Sequence, residues 1–175
     1  MQDIHHPGGK LGLKSIEAVY RVTPNKTHNR MVDNDAFNGS YTKNPYIFKN
    51  VAFSEISIDL DGNTQPIRPL QPNYASRQYI QALMSLFSVT GKENRDEGND
   101  ITREDYPRAY ALYAFDFSPD LAEQDHFNLA KQGTVRVELK FGAALPNTAT
   151  VVAYAKFENV IEIDRNKNVI YDFGS

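Results

Sequence analysis

The sequence contains no cysteine, which excludes disulfides, thiolate metal centres such as zinc fingers, and cysteine nucleophiles together. No apolar run approaches the roughly 18 residues that a bilayer-spanning helix needs, and AYALYAF at 109–115 is only strand-sized. A membrane is therefore not expected as a partner. Basic residues stand singly, as Arg21, Lys26, Arg30, Lys43 and Lys49 do, so no concentrated positive tract is present to grip a phosphate backbone. Specific nucleic-acid binding is not expected either. Catalytic patterns are missing too: there is no G-x-S-x-G elbow and no HEXXH, and Gly8-Gly9-Lys10 lacks the strand, loop and helix that make a phosphate loop. The histidines are His5, His6, His28 and His126, placed in the lead-in or in polar, loop-like surroundings. Carboxylate pairs exist, Asp116 with Asp120 and Glu158 with Glu162, but nothing in the sequence sets the separation that acid–base work requires. The chain is read as not an enzyme, with no catalytic, cofactor-binding or metal residue assigned and no cofactor.

What is present is an ordinary globular composition. The 175 residues are 41% apolar and 23% charged with a net charge of -3, which fits one domain with one sizeable core. MQDIHHPGGK has no apolar signal core, so residues 1–14 read as a flexible lead-in and 15–175 as a single domain. Period-two alternation, the mark of a half-buried strand, recurs along that domain. SIEAVYRV at 15–22 shows it until Pro24 and Asn25, and VAFSEISIDL at 51–60 shows it until Asp61-Gly62, a strong two-residue hairpin signal. IRPLQPNY at 67–74 carries Pro69 and Pro72 and should stay out of a sheet interior. TVRVELKF at 134–141 alternates without error, aiming Val135, Val137, Leu139 and Phe141 one way. RAYALYAFDF, TATVVAYAKF and a pair of short strands around Asp164–Asn168 supply the rest. One amphipathic helix is predicted over about 75–88, where Tyr79, Ile80, Leu83, Met84, Leu86 and Phe87 form a stripe and Gly91 is the terminator. About six to eight strands with short connections make the fold mainly β, an antiparallel jelly roll or β-sandwich.

Two polar stretches invite a metal reading. In MVDNDAFNGSYTKN at 31–44, a calcium loop counted from Asp33 puts Asp35 correctly but places Phe37, Asn38 and Asn44 where an oxygen ligand, a glycine and a bidentate glutamate belong. A turn built from Asn, Asp, Gly and Ser accounts for the same letters. Asp59-Leu60-Asp61-Gly62 starts like a calcium loop as well, but Leu70 stands at its twelfth place, so the hairpin is preferred. GKENRDEGNDITRED at 91–105 reads as a solvated, internally paired loop, with Thr102 and Asp105 set to cap a short helical turn. Ten tyrosines and ten phenylalanines remain without a catalytic pattern around them; tyrosine is enriched at interfaces, and core filling accounts for the rest.

Longer words in the sequence add to this. RMVDNDAFNGSYTKNPYIFKN, LDGNTQPIRPLQPNY, DEGNDITREDY, ALYAFDFSPDL, HFNLAKQGTVRVELKFGAALP and VAYAKFENVIEIDRNKNVIYDFG follow one another from residue 30 to 174. Together they resemble the C-terminal half of invertebrate proteins associated with Polinton (Maverick) self-synthesising DNA transposons and related viruses. That resemblance implies a jelly-roll domain like those of double jelly-roll major capsid proteins. It further implies self-association, as a trimer in the intact protein, contact with other capsid subunits, and residence in a virion or virus-like particle. It carries no catalytic residues. The segment between Pro24 and Arg30 looks short against the family pattern, which implies a missing strand pair. The other reading left open is a lectin-like carbohydrate- or ligand-binding sandwich acting through exposed Tyr and Asp/Asn loops.

Overall fold

A computed structural model describes residues 3–4, 13–20, 24–51, 53–118, 133–157 and 161–171. Strands β1 (Asp3–Ile4), β2 (Leu13–Tyr20), β3 (Pro24–Asp33), β4 (Phe53–Leu60), β5 (Asn63–Leu70), β6 (Leu112–Asp116), β7 (Gly133–Phe141) and β8 (Ala149–Phe157) form two antiparallel sheets. Their orders are β1-β8-β3-β6 and β2-β7-β4-β5. Each pairing of first with last, second with second-last and so on inward is hydrogen-bonded, which is what results when one long antiparallel hairpin is wound around a barrel. The fold is a jelly roll, a mainly β sandwich of two four-stranded sheets. A further hairpin, β9 (Ile161–Ile163) and β10 (Val169–Tyr171), follows it and turns on Asp164, whose Oδ1 accepts the Asn166 and Asn168 amides at 2.7 and 2.8 Å.

The roll has its eight strands, including one that the alternation of apolar letters did not mark. Residues 24–33 form β3, which lies between β8 and β6 in the middle of its sheet. Pro24 begins this strand, in agreement with the tolerance of proline at a first strand position. Within the span read as a lead-in, Asp3–Ile4 pairs with Ala149–Thr150, and β2 begins at Leu13.

Where apolar letters alternate, the structure follows them. Val137, Leu139 and Phe141 are buried, and they meet Phe53, Ile56 and Ile58 of β4 and Met31, Tyr113 and Val151 of the opposite sheet in one core. Each such side chain contributes about 1.5–3 kcal/mol by leaving water. Aromatic rings fill the thickest part: Phe53 stacks on Phe141 at 5.2 Å and meets Tyr113 edge-on at 5.4 Å. Asp61 and Gly62 turn β4 into β5 with φ of 53° and 86°, the left-handed pair that the Asp-Gly signal requires. β5 carries Pro66 and Pro69 at a sheet edge, where a missing N–H interrupts no ladder; two residues of β4, Ile56 to Ile58, oppose the stretch from Leu70 back to Gln65.

The helix α2 (Ile80–Val89) starts later than the 75 expected from the apolar spacing, and two one-turn helices, α1 (Asn34–Phe37) and α3 (Tyr106–Ala109), accompany it. Residues 73–78 are a turn because the Asn73 side chain accepts the Ser76 amide at 3.1 Å while Asn73 and Gln78 exchange backbone hydrogen bonds at 2.9 and 2.8 Å. The buried face becomes Ala82, Leu83, Leu86 and Val89, which turns Ile80 and Met84 toward solvent. At its C-terminus Gly91 adopts φ 68°, Gly91 N–H donates to Ser88 O, and Lys92 N–H donates to Phe87 O, a Schellman closure. α3 replaces the start of the strand expected at 108, and the Thr102 hydroxyl donates to Asp105 Oδ2 at 2.6 Å before it.

Gly133 illustrates how closely β7 meets the β4–β5 turn. A Cβ there would run into the Asp61 carboxylate, whose Oδ1 accepts the Thr134 amide at 2.7 Å. Gly133→Ala is therefore expected to cost about 1–3 kcal/mol, since either the methyl group is strained or that hydrogen bond is lost. Urea unfolding measures it; an unchanged midpoint would mean that Asp61 swings aside freely.

Candidate interaction surface

The connection from β3 to β4 (34–52) and that from β5 to β6 (71–111) pack together. Phe48 N–H donates to Ala109 O at 2.9 Å, Ala111 N–H to Phe48 O at 3.4 Å, and the Asn50 side-chain amide to Pro107 O at 2.7 Å. Arg30 lays its guanidinium 4.7 Å from the centre of the Phe48 ring, which ties the first connection to β3.

Polar groups then fix the first connection from within. Lys49 Nζ donates to Asp33 Oδ2 at 2.7 Å, and Lys43 lies 3.5 Å from Asp33 and 3.0 Å from Asp35. Burial pushes the Asp33 carboxyl up, but the hydrogen bond and charge of Lys49, with Lys43 beside it, outweigh that and hold it below the usual carboxylate range. The Asn44 side chain accepts the Tyr46 amide at 2.8 Å, and Ser40 N–H donates to Asp35 O at 3.0 Å. Residues 31–33 end β3, 34–37 form α1 and turns follow, and the carboxylates considered for calcium are engaged by ammonium groups. Asp59 is likewise engaged, its Oδ1 accepting the Gly62 amide at 3.0 Å.

What this scaffold presents is aromatic. Tyr41 is fully exposed, Tyr46 is 74% exposed, and Phe37 and Ile47 stand partly out of the surface beside them. Four large apolar side chains on one hydrogen-bonded loop make a preorganised contact surface, because little freedom remains to be lost on docking. The 91–105 loop presents none of comparable size among the described residues. It is closed on itself instead, with Lys92 3.7 Å from Glu97 and donating to Gly98 O at 3.2 Å, and Asn99 bonded to Thr90 at 3.2 Å.

No family model matches the chain. An uncharacterised protein of Caenorhabditis elegans is 28% identical over 168 residues, which is 94% of this chain and 40% of the relative. Among solved structures, the mavirus major capsid protein aligns with 93% of this chain and 35% of its own, with a TM-score of 0.46 and 12% identity. The chain thus spans about two-fifths of the curated relative and about a third of that capsid protein.

Among the described residues, those weighed for chemistry are not gathered. His28 lies on β3 beside Tyr154, its register partner on β8, with ring centres 6.1 Å apart. Burial first, then the charges of Lys26 and Arg30, lower its pKa, so it is held neutral. His5, His6, His126, Asp120 and Glu158 lie outside the described residues. No group of three or more His, Asp or Glu positioned to hold a metal occurs among the described residues. The sequence reads 31–44 as a turn and the loops 33–50 and 91–105 as candidate contact surfaces; Phe37, Tyr41, Tyr46 and Phe48 recurring through the first are the letters that set it apart.

Proposed function

We propose that the chain is a jelly-roll module of a capsid-type structural protein, akin to those of Polinton-like elements, and that its copies pack side by side. In the intact protein this packing forms a trimer within a virion or virus-like particle. The observation that carries the reading is a coincidence: the words of residues 30–174 that resemble the transposon-associated family lie on a chain whose strand order is that of a jelly roll. The rigid loop bearing Tyr41 and Tyr46 supports self-association, since tyrosine offers large contact area at small entropic cost.

Mass photometry and electron microscopy of the full-length protein test it. Trimers or shells are the expected outcome, and Tyr41→Ser with Tyr46→Ser is expected to weaken association by about tenfold or more, the effect of losing one or two central aromatic anchors. A monodisperse monomer that binds saccharides on a glycan array would replace this reading with the lectin-like one.

A further inference from the structure

The turn at 73–78 and helix α3 enclose a pocket of about 290 Å³ that the assembly reading does not use. Tyr74 and Tyr79 line it, together with Arg77, Arg103, Arg108 and Glu104. Three guanidinium groups against one carboxylate give the site a formal charge of about +2, in a chain whose net charge is -3. Among the described residues none of the three arginine side chains has an ion pair or hydrogen bond. Asp105, the acid next to them, is occupied by the Thr102 hydroxyl at 2.6 Å.

The three arginines stand exposed, and two other lining residues of the pocket are tyrosines in a stacked series. Tyr74 stacks on Tyr79 at 5.3 Å, Tyr79 stacks on Tyr106 at 5.9 Å, and Tyr79 Oη donates to Arg103 O at 3.0 Å. Arg77 itself sits at φ 58°, the left-handed region that an arginine adopts rarely and at an energetic cost. A glycine or asparagine would suit that backbone better, so nothing in the local backbone calls for an arginine there. Guanidinium forks match the oxygens of a phosphoryl group bidentately, and three of them lining one pocket, from positions 77, 103 and 108, offer donors for more than one phosphoryl oxygen.

We propose that this pocket binds the phosphoryl groups of a small polyanion, with Arg77, Arg103 and Arg108 as the ligating side chains. The inference does not depend on the capsid reading. Calorimetric titration of the whole chain with inorganic pyrophosphate at low salt tests it, with citrate and a nucleoside triphosphate as further arms. Pyrophosphate is expected to bind with a Kd below about 1 mM, and Arg103→Ala and Arg108→Ala are each expected to weaken it about tenfold. Arg77→Gly separates binding from folding: affinity should fall while the thermal midpoint stays level or rises. Tighter binding of the nucleotide would identify an aromatic-bearing ligand, and equal affinity a free polyphosphate; both uphold the site. No heat with any of the three ligands, citrate binding as tightly as pyrophosphate, or equal weakening by Arg68→Ala on β5, which does not line the pocket, would each overturn it.

Discussion

Asp116→Asn is expected to destabilise the fold by about 3 kcal/mol and to lower Tm by about 10 °C, although Asp116 lies at the end of a strand, far from the thick centre of the core. The reason is Lys26. It stands directly opposite Asp116 in the β3–β6 register, its ammonium is 3.7 Å from the carboxylate, and both side chains are under a tenth exposed. Lys26 Nζ also donates to Val89 O at 2.8 Å. That carbonyl ends α2, where the last four oxygens have no helical partner. Thr90 N–H takes Leu86 O, Lys92 N–H takes Phe87 O, Gly91 N–H takes Ser88 O, and Lys26 completes the set. The lysine therefore joins sheet and helix and places its charge favourably at the helix C-terminus. Removing the carboxylate takes away a counter-charge 3.7 Å from a buried cation, whereas replacing both partners with apolar residues of similar size is nearly neutral. Lys26→Met combined with Asp116→Leu should thus recover most of the loss. Chemical denaturation of Lys26→Met, Asp116→Leu and the double variant measures the coupling. Hydrogen exchange should also report faster opening at Leu86–Val89 in Lys26→Met, with the centre of β7 unchanged. Strictly additive losses would mean that the pair does not act as one unit.

The same pair shows why one strand escaped a reading by pattern while others did not. TVRVELKF and VAFSEISIDLDG were legible because burial there is supplied by apolar side chains at every second position, and their turn needs letters that few other residues can replace. PNKTHNRMVD has no such alternation. Its inward side chains include Thr27 and Asn29, 3% and 1% exposed, and the opposite face carries Lys26, His28 and Arg30. Burial of that kind depends on partners distant in sequence: Asp116, Val89 and the Phe48 ring. A period-two count of apolar letters cannot find a strand whose buried side chains are polar. The start of α2 was misplaced for a local reason, the competition of the Asn73 side chain for the Ser76 amide. The contact surface was half legible. Its aromatic residues can be read in 37–48, but that they point outward follows only from lysines clamping Asp33 and Asp35 beneath them.

Alkaline pH is expected to unfold the protein cooperatively between about pH 10 and pH 12, through a tyrosine cluster at the loop end of the roll. Tyr74 and Tyr113 share a hydrogen bond of 2.6 Å between hydroxyls, and Tyr106 Oη donates to Leu112 O at 2.7 Å. Burial pushes the Tyr74 phenol up to about 12, against the opposing effect of its hydroxyl partners. Burial also raises Tyr106 and Tyr113 well above the ordinary phenol value. The sign follows from which state releases its protons first. Above about pH 10 the unfolded chain ionises these tyrosines and the folded chain does not, so their stabilising contribution is complete below pH 10 and is lost as pH rises toward the folded values. Each group lowers stability by about 1.4 kcal/mol per pH unit in that window, and Tyr74 alone removes about 3 kcal/mol by pH 12. Three together exceed 4 kcal/mol per unit, enough to exhaust the roughly 5–15 kcal/mol of an ordinary domain within a few units. Exposed tyrosines such as Tyr41 and Tyr46 supply the first phenolate absorbance at 295 nm; the remaining rise and the loss of near-ultraviolet circular dichroism, followed on one sample, should come together. Tyr113→Phe should make the pH dependence shallower by about a third while costing about 1 kcal/mol at neutral pH, because the Tyr74 hydroxyl loses its partner. All ten tyrosines ionising around pH 10 with the dichroism intact would mean that these hydroxyls meet solvent, and that the aromatic packing joining the turn at 73–78 to α3 and β6 is looser than the ring distances indicate.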